Sequence, residues 1–297
     1  MIMQAEGKKK LLNILGFVLK VVVTGFILWS IFRKMDMHIL WTNLVNKPVW
    51  LLAIIMAVSG LRHWGQYLTW KYSLQMNPLY IPKPREIFSS YMIGQALRFI
   101  IPGSYGIVGK IAFVSNSSKT ASFISYMIER VFVTWALMFF ASFALLFTPI
   151  GIPQWVSWLL FVIFLAIPFG GYFVLGANRR WQRLQPNYLV YGPRVLVMQI
   201  GVTLLNYLQY WLLLHHMVPT SYWETLKRMS LAHISYSIPV TFAGLGLKEY
   251  FAKTLFSSIG YPEEVIVSTT LILFFLHDIL AALAGAVFLL QAKYSKT

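Results

Sequence analysis

Long apolar runs separated by short polar intervals decide what this chain can fold into. A helix needs about 20 largely apolar residues to cross a bilayer. Six stretches reach that length: 11–32, 49–70, 120–148, 156–177, 195–217 and 264–290. Inside hydrocarbon every backbone N–H and C=O must be satisfied within its own segment, which makes such runs helices. Charged residues make up only 11% of the 297 positions, whereas soluble domains carry roughly 25%. The expected fold class is all-α: a polytopic integral membrane bundle, one transmembrane domain over 1–297. No polar interval is long enough for a soluble domain.

Two further apolar stretches, roughly 86–112 and 228–258, are broken. The first contains RFIIPGSYGIVGK (98–110) and the second YSIPVTFAGLGLKE (236–249). Proline removes a backbone donor and clashes with the preceding turn, and glycine leaves helical geometry cheaply. In a bilayer the freed groups must be buried in protein or line a watery cavity. The two breaks correspond. Glu86 and Glu224 open them, Ile101-Pro102 matches Ile238-Pro239, and Gly109-Lys110 matches Leu247-Lys248 after a one-residue insertion. Interrupted segments at matching positions of two halves point to a transporter's binding site; the bland alternative is an ordinary kinked span. The expectation is six full spans plus two broken or re-entrant segments, with repeat-like halves at about 49–150 and 195–290. Three crossings between the breaks would invert one copy relative to the other.

The net charge of +16 does not require nucleic acid as a partner, because the basic residues lie in loops and at helix ends. That is the pattern of membrane topology and of anionic head groups. Lys8 to Lys10, the 71–85 connection (Lys71, Lys83, Arg85), the 178–194 connection (Arg179, Arg180, Arg183, Arg194), and Lys293 and Lys296 fall on one side. The uncharged 149–155 loop falls opposite, while Arg33, Lys34 and Lys47 run against the bias. Both termini are expected in the cytoplasm and the protein in the cell (inner) membrane. The run 11–32 exceeds a signal-peptide core and lacks a small-residue cleavage site, so it reads as a retained first helix. Trp155, Trp158, Trp181, Trp211 and Trp223 lie near predicted helix ends, the position of an aromatic belt.

Polar side chains inside the spans narrow the site. Ser59, Arg62, His63, Gln66 and Trp70 recur at helical spacing, as do Gln199, Thr203, Asn206 and Tyr210. Such stripes face a bundle interior or a cavity, or else supply helix–helix hydrogen bonds. A charge at mid-bilayer costs about 2.5–3.5 kcal/mol even on the lenient insertion scale, so Arg62 and Arg98 stand out. Guanidinium forks match phosphate, Lys110 and Lys248 close the two breaks, and half-helix N-termini favour anions. Together they point to an anionic head group, with snorkelling to the interface as the alternative. Glu129, Glu249 and Asp278 adjoin Arg130, Lys248 and His277. Sequence neighbours on a helix do not face each other, so these pairs are expected to bridge to other partners.

Known catalytic signatures are missing. The absence of cysteine excludes disulfides and thiolate sites, and His215-His216 lacks a third ligand in a recognisable pattern. Neither a cofactor nor a metal is expected.

Four stretches carry a family resemblance: LRHWGQYLTW (61–70), IPGSYG (101–106), IERVFVTWALMFF (128–140) and GLGLKE (244–249). They resemble the flippase-like transmembrane family, which includes the membrane half of lysylphosphatidylglycerol synthase/flippase proteins. The resemblance implies a multi-pass inner-membrane protein handling a phospholipid or polyprenyl-phosphate lipid. It carries over Arg62, Pro102, Gly103, Gly106, Glu129, Arg130, Gly244, Gly246 and Glu249 as pattern positions. The chain departs from the pattern at Val133, at His277 and at Gly109-Lys110, so the substrate is not carried over. The aminoacyl-transferase domain of the fused relatives is not in this sequence, and lipid lysinylation by the chain alone is not expected.

Taken together, the expected function is a flippase-like transporter that moves a lipid with an anionic, phosphate-bearing head group between leaflets. Its expected head-group residues are Arg62, His63, Arg98, Pro102, Gly103, Ser104, Lys110, Glu129, Arg130, Asn206, Pro239, Gly244, Gly246, Lys248, Glu249, His277 and Asp278. One alternative is a membrane-embedded enzyme on a lipid-linked sugar or phospholipid, with Glu129, Glu249 or Asp278 as acid or base. Another is an accessory subunit that positions a partner transferase.

Overall fold

The computed structural model describes residues 18, 22, 25–26, 29–30, 33, 36–100, 102–177, 181–237 and 245–294. Among these there are helices and connections but no strand. The α-helices are α1 (Met37–Val45), α2 (Val49–Gln75), α3 (Pro84–Ile100), α4 (Lys119–Leu145), α5 (Gln154–Ala177), α6 (Gln185–Met217), α7 (Tyr222–Ala232), α8 (Leu247–Ser257), α9 (Glu263–Leu273) and α10 (Leu280–Tyr294). Four tighter or wider pieces join them among the described residues: 3₁₀ segments at Pro102–Phe113, Gln182–Leu184 and His233–Ser237, and a π-helical turn at Phe274–Ile279.

By compactness the chain divides into two units. Unit 1 is Met1–Asn46, Met92–Lys110 and Ser235–Thr297, and unit 2 is Lys47–Tyr91 and Ile111–Ile234.

Among the described residues four segments are long and apolar enough to cross a membrane: Lys119–Leu145, Gln154–Ala177, Gln182–Met217 and Glu263–Ala292. A fifth is added if the bent pair α1 and α2 is one span. Six full spans were expected. The run 11–32 lies largely outside the described residues, and α2 does not qualify by itself because its polar stripe dilutes its apolar character. Helix α1 was not anticipated. Its start is legible all the same, since the Asp36 carboxylate accepts from the His38 N–H (2.8 Å) and the Ile39 N–H (3.2 Å) as an N-cap.

In unit 2, α2 and α6 lie antiparallel. Trp50 meets His216 edge-on, Gln209 Nε2 donates to the Ile55 carbonyl (2.8 Å), Gly65 abuts Val202, and Asn187 Nδ2 donates to the Gln75 carbonyl (3.1 Å). Helices α4 and α5 are antiparallel too, through Phe143 on Phe161 and the Trp135 Nε1 donation to the Phe164 carbonyl. These contacts sort the connections. The Gln75 and Asn187 ends meet at one end of unit 2, which also carries Lys71, Arg183 and Arg194. Asn77 joins the same end to Asn116 (2.8 Å) and Ser117 (3.0 Å). Two of the connections predicted to share the cationic side therefore do touch.

Helix α5 buries only Ser157, Pro168 and Leu175 and leaves Trp155, Val162, Phe169 and Phe173 exposed. A contiguous apolar surface of this kind has no place in water; it is the lipid face of a membrane-embedded multi-pass helical protein. The belt tryptophans Trp155, Trp158, Trp181 and Trp223 are exposed as expected.

At the head of α7, burial pushes the Glu224 carboxyl up, but hydrogen bonds and attraction from Lys227 and Arg228 outweigh it and hold it below the usual range. A depressed folded pKa stabilises above the unfolded value and is lost as pH falls through the folded one. The thermal-midpoint gap between wild type and Glu224→Gln should therefore be present at neutral pH and close on acidification below about pH 4. A gap unchanged in acid would rule out this linkage.

Candidate functional site

The first break folds back on itself. A Cβ on Gly94 would lie 3.2 Å from Lys110 Cβ and 3.5 Å from Ile107 Cγ1, and one on Gly109 would lie 2.5 Å from Leu97 Cδ1. The 3₁₀ segment thus returns antiparallel along the C-terminal half of α3. At its base Glu86 accepts from both the N–H and the Oγ of Ser115, each at 2.6 Å. The lengths agree: 17 residues of α-helix rise about 25 Å and 12 residues of 3₁₀-helix about 24 Å. Runs of 3₁₀ beyond 3–4 residues are uncommon because their hydrogen bonds are poorer. Of Pro102, Gly103 and Ser104 only the backbone is described. Lys110 is buried, with 1% exposure, and its aliphatic stem lies where α3 offers Gly94.

The second break begins with α7 and the segment His233–Ser237; Pro239 and Gly244 lie outside the described residues. Gly246 has φ +87, which a side chain would oppose. Its N–H donates to Glu249 Oε2 (2.6 Å), so α8 is capped from within its own first turn. Lys248 Nζ stands 3.4 Å from Glu249 Oε1, with exposures of 2% and 0% for the two side chains. The lysine also lies 5.9 Å from the Tyr236 ring and 5.8 Å from the Phe274 ring. Lys248 and Glu249, expected to bridge to other partners, also meet each other. A four-carbon stem at a helix start can swing back to its neighbour. The same holds at Arg130 and Glu129, 3.8 Å apart.

Asp278 follows the expectation. It turns from His277 and accepts from Arg98 Nη1 at 3.0 Å, joining α3 to the π-helical turn, with side-chain exposures of 14% and 23%. His277 is buried on the same turn. Nothing in the sequence signals the π turn, and such turns gather at functional sites.

Unit 1 therefore holds Arg98, Lys110, Gly246, Lys248, Glu249, His277 and Asp278. The remaining predicted residues, Arg62, His63, Glu129, Arg130 and Asn206, belong to unit 2. There Tyr91 donates its hydroxyl to Gln66 Oε1 (2.9 Å) and meets His63 Nδ1 at 2.7 Å. Trp70 Nε1 donates to Ser90 Oγ (3.0 Å). The α2 stripe thus fastens α2 to α3, as helix–helix hydrogen bonding would have it. Asn206 Nδ2 lies 3.5 Å from His233 Nδ1, and His233 stacks on Tyr207. The Nε atoms of Arg62 and Arg130 are buried with no protein acceptor. Sequence reasoning missed Tyr91, Ser90, Tyr236 and Phe274, all of which look like ordinary core. Among the described residues no group of three or more His, Cys, Asp or Glu is placed to hold a metal.

Compared with known families, residues 17–285 match the model described as the lysylphosphatidylglycerol synthase TM region. No curated protein and no solved structure matches the chain.

Proposed function

Because this chain belongs to the lysylphosphatidylglycerol synthase transmembrane-region family, we propose that it moves a lipid with an anionic, phosphate-bearing head group between leaflets. The family ties the protein to lipid handling in the membrane. The observation that carries the finer reading is the charge set of unit 1. At the two breaks three cations, Arg98, Lys110 and Lys248, stand with two carboxylates, Glu249 and Asp278. Burial of charge is expensive unless it is compensated, and cations gathered at the breaks, with Arg98 partly exposed, favour an anion.

Arg98 is the exchangeable member of this set. Its pair with Asp278 is partly exposed, whereas that of Lys248 with Glu249 is sealed. Phosphate and carboxylate both fit the guanidinium fork, so a head group replaces Asp278 at little net cost and leaves as readily. The π-helical turn gives Asp278 a place to move. Pro102, Gly103, Ser104, Pro239, Gly244 and Gly246 permit the irregular backbone. In unit 2, Arg62 and Arg130 each bury an Nε with no protein acceptor, and Glu129 stands 3.8 Å from Arg130. The first break opens at the end of unit 2 where α2 finishes, and α7 starts at the end where α6 finishes. This favours an inverted internal repeat. The cationic end faces the cytoplasm of an inner-membrane protein, with both termini on that side.

Arg98→Gln should abolish movement of an anionic phospholipid in reconstituted vesicles while leaving the protein folded. Asp278→Asn should hold the anionic lipid longer and slow its release. Unchanged transport by Arg98→Gln would remove Arg98 from the mechanism.

A further inference from the structure

At the cationic end of unit 2, Tyr72 of α2 and Tyr191 of α6 stack with ring centroids 6.2 Å apart and planes 24° from parallel. Arg194 caps the pair, its Cζ 5.2 Å from the Tyr191 ring and 5.9 Å from the Tyr72 ring. The guanidinium thus lies over both rings while the arginine stays exposed. Among the described residues no carboxylate pairs with Arg194, and neither phenol hydroxyl has a hydrogen-bond partner. Three donor groups therefore stand together without a protein acceptor.

Their surroundings decide the ligand. Val190, Arg194, Val197 and Gly201 follow one another at steps of four, three and four along α6, which places them on a single helix face. Val190 and Val197 are exposed, and nothing lies within 4 Å of a Cβ built on Gly201. An arginine is thus set within an apolar, open stripe, between Val190 and Val197 and next to tyrosines suited to the head-group level. We propose that Arg194, Tyr72 and Tyr191 form a binding site for the phosphodiester of an anionic phospholipid, with an acyl chain along Val197 and Gly201. The site shares no residue with the two breaks and does not depend on transport.

The test uses the full chain, purified gently and re-lipidated with phosphatidylglycerol in phosphatidylcholine, with lipid retention read by native mass spectrometry. Arg194→Gln should retain phosphatidylglycerol about fivefold more weakly and phosphatidylcholine unchanged, and Tyr191→Leu should show the same loss in part. Arg183→Gln, which removes an exposed charge from the same connection, should have no such effect. An equal loss in Arg183→Gln, or none in Arg194→Gln, overturns the site. Displacement of the lipid by inorganic phosphate would also overturn the lipid assignment, making this a soluble-anion site. If Arg194→Gln does not fold, Arg194→Lys keeps the charge without the fork and should still lose retention.

Discussion

Gly285→Ala should be among the most damaging single substitutions in unit 1. A Cβ on Gly285 of α10 would lie 2.1 Å from the Met92 carbonyl oxygen and 3.1 Å from the Ala96 N of α3. Both atoms are backbone, so no side chain can turn away and α10 must move off α3. Small residues let membrane helices approach this closely, and overpacking costs typically about 1–3 kcal/mol and occasionally more. The same exchange at Gly60 of α2, where nothing lies within 4 Å, should be neutral or stabilising by about 0.4–1 kcal/mol. Thermal midpoints in detergent, compared between the two variants, check this. Similar midpoints would mean that α3 and α10 do not pack as described.

The second large effect is expected at the sealed pair. Lys248→Met leaves Glu249 charged and buried, and Glu249→Gln leaves Lys248 so. Breaking a buried pair from one side costs about 3–5 kcal/mol, whereas replacing both partners is often close to neutral. Each single variant should therefore melt far below wild type, and Lys248→Met with Glu249→Gln should recover most of the loss. The amide oxygen introduced by Glu249→Gln still accepts from the Gly246 N–H, so the cap of α8 survives. A double variant no better than the singles would show that Lys248 contributes through its ring contacts with Tyr236 and Phe274 rather than through charge.

The first break was legible because proline and glycine act locally, whatever surrounds them; the centre of the second lies outside the described residues. Lys110 and Lys248 stood out as cations in apolar sequence, but snorkelling to the interface stayed open until the structure buried them. The partners were not legible. Asp278 is 180 residues from Arg98, and no spacing links them. That the neighbours at 248 and 249 also meet each other was not legible, because helix geometry places Cβ atoms while a long side chain places its charge. The stripe of α2 was visible as a stripe, but whether it lined a cavity or fastened α3 depended on Tyr91 and Ser90.

Sequence alone determined the class of molecule, the family and the positions where helices cannot continue. All three follow from hydrophobicity and backbone chemistry, which each residue carries with it. Only the tertiary structure decided that the first break turns back along α3, that Arg98 takes Asp278, and that Arg194 rests on a tyrosine pair within an apolar stripe. These depend on which side chains distant segments bring within a few ångströms of each other, and a linear chain does not state its own crossings.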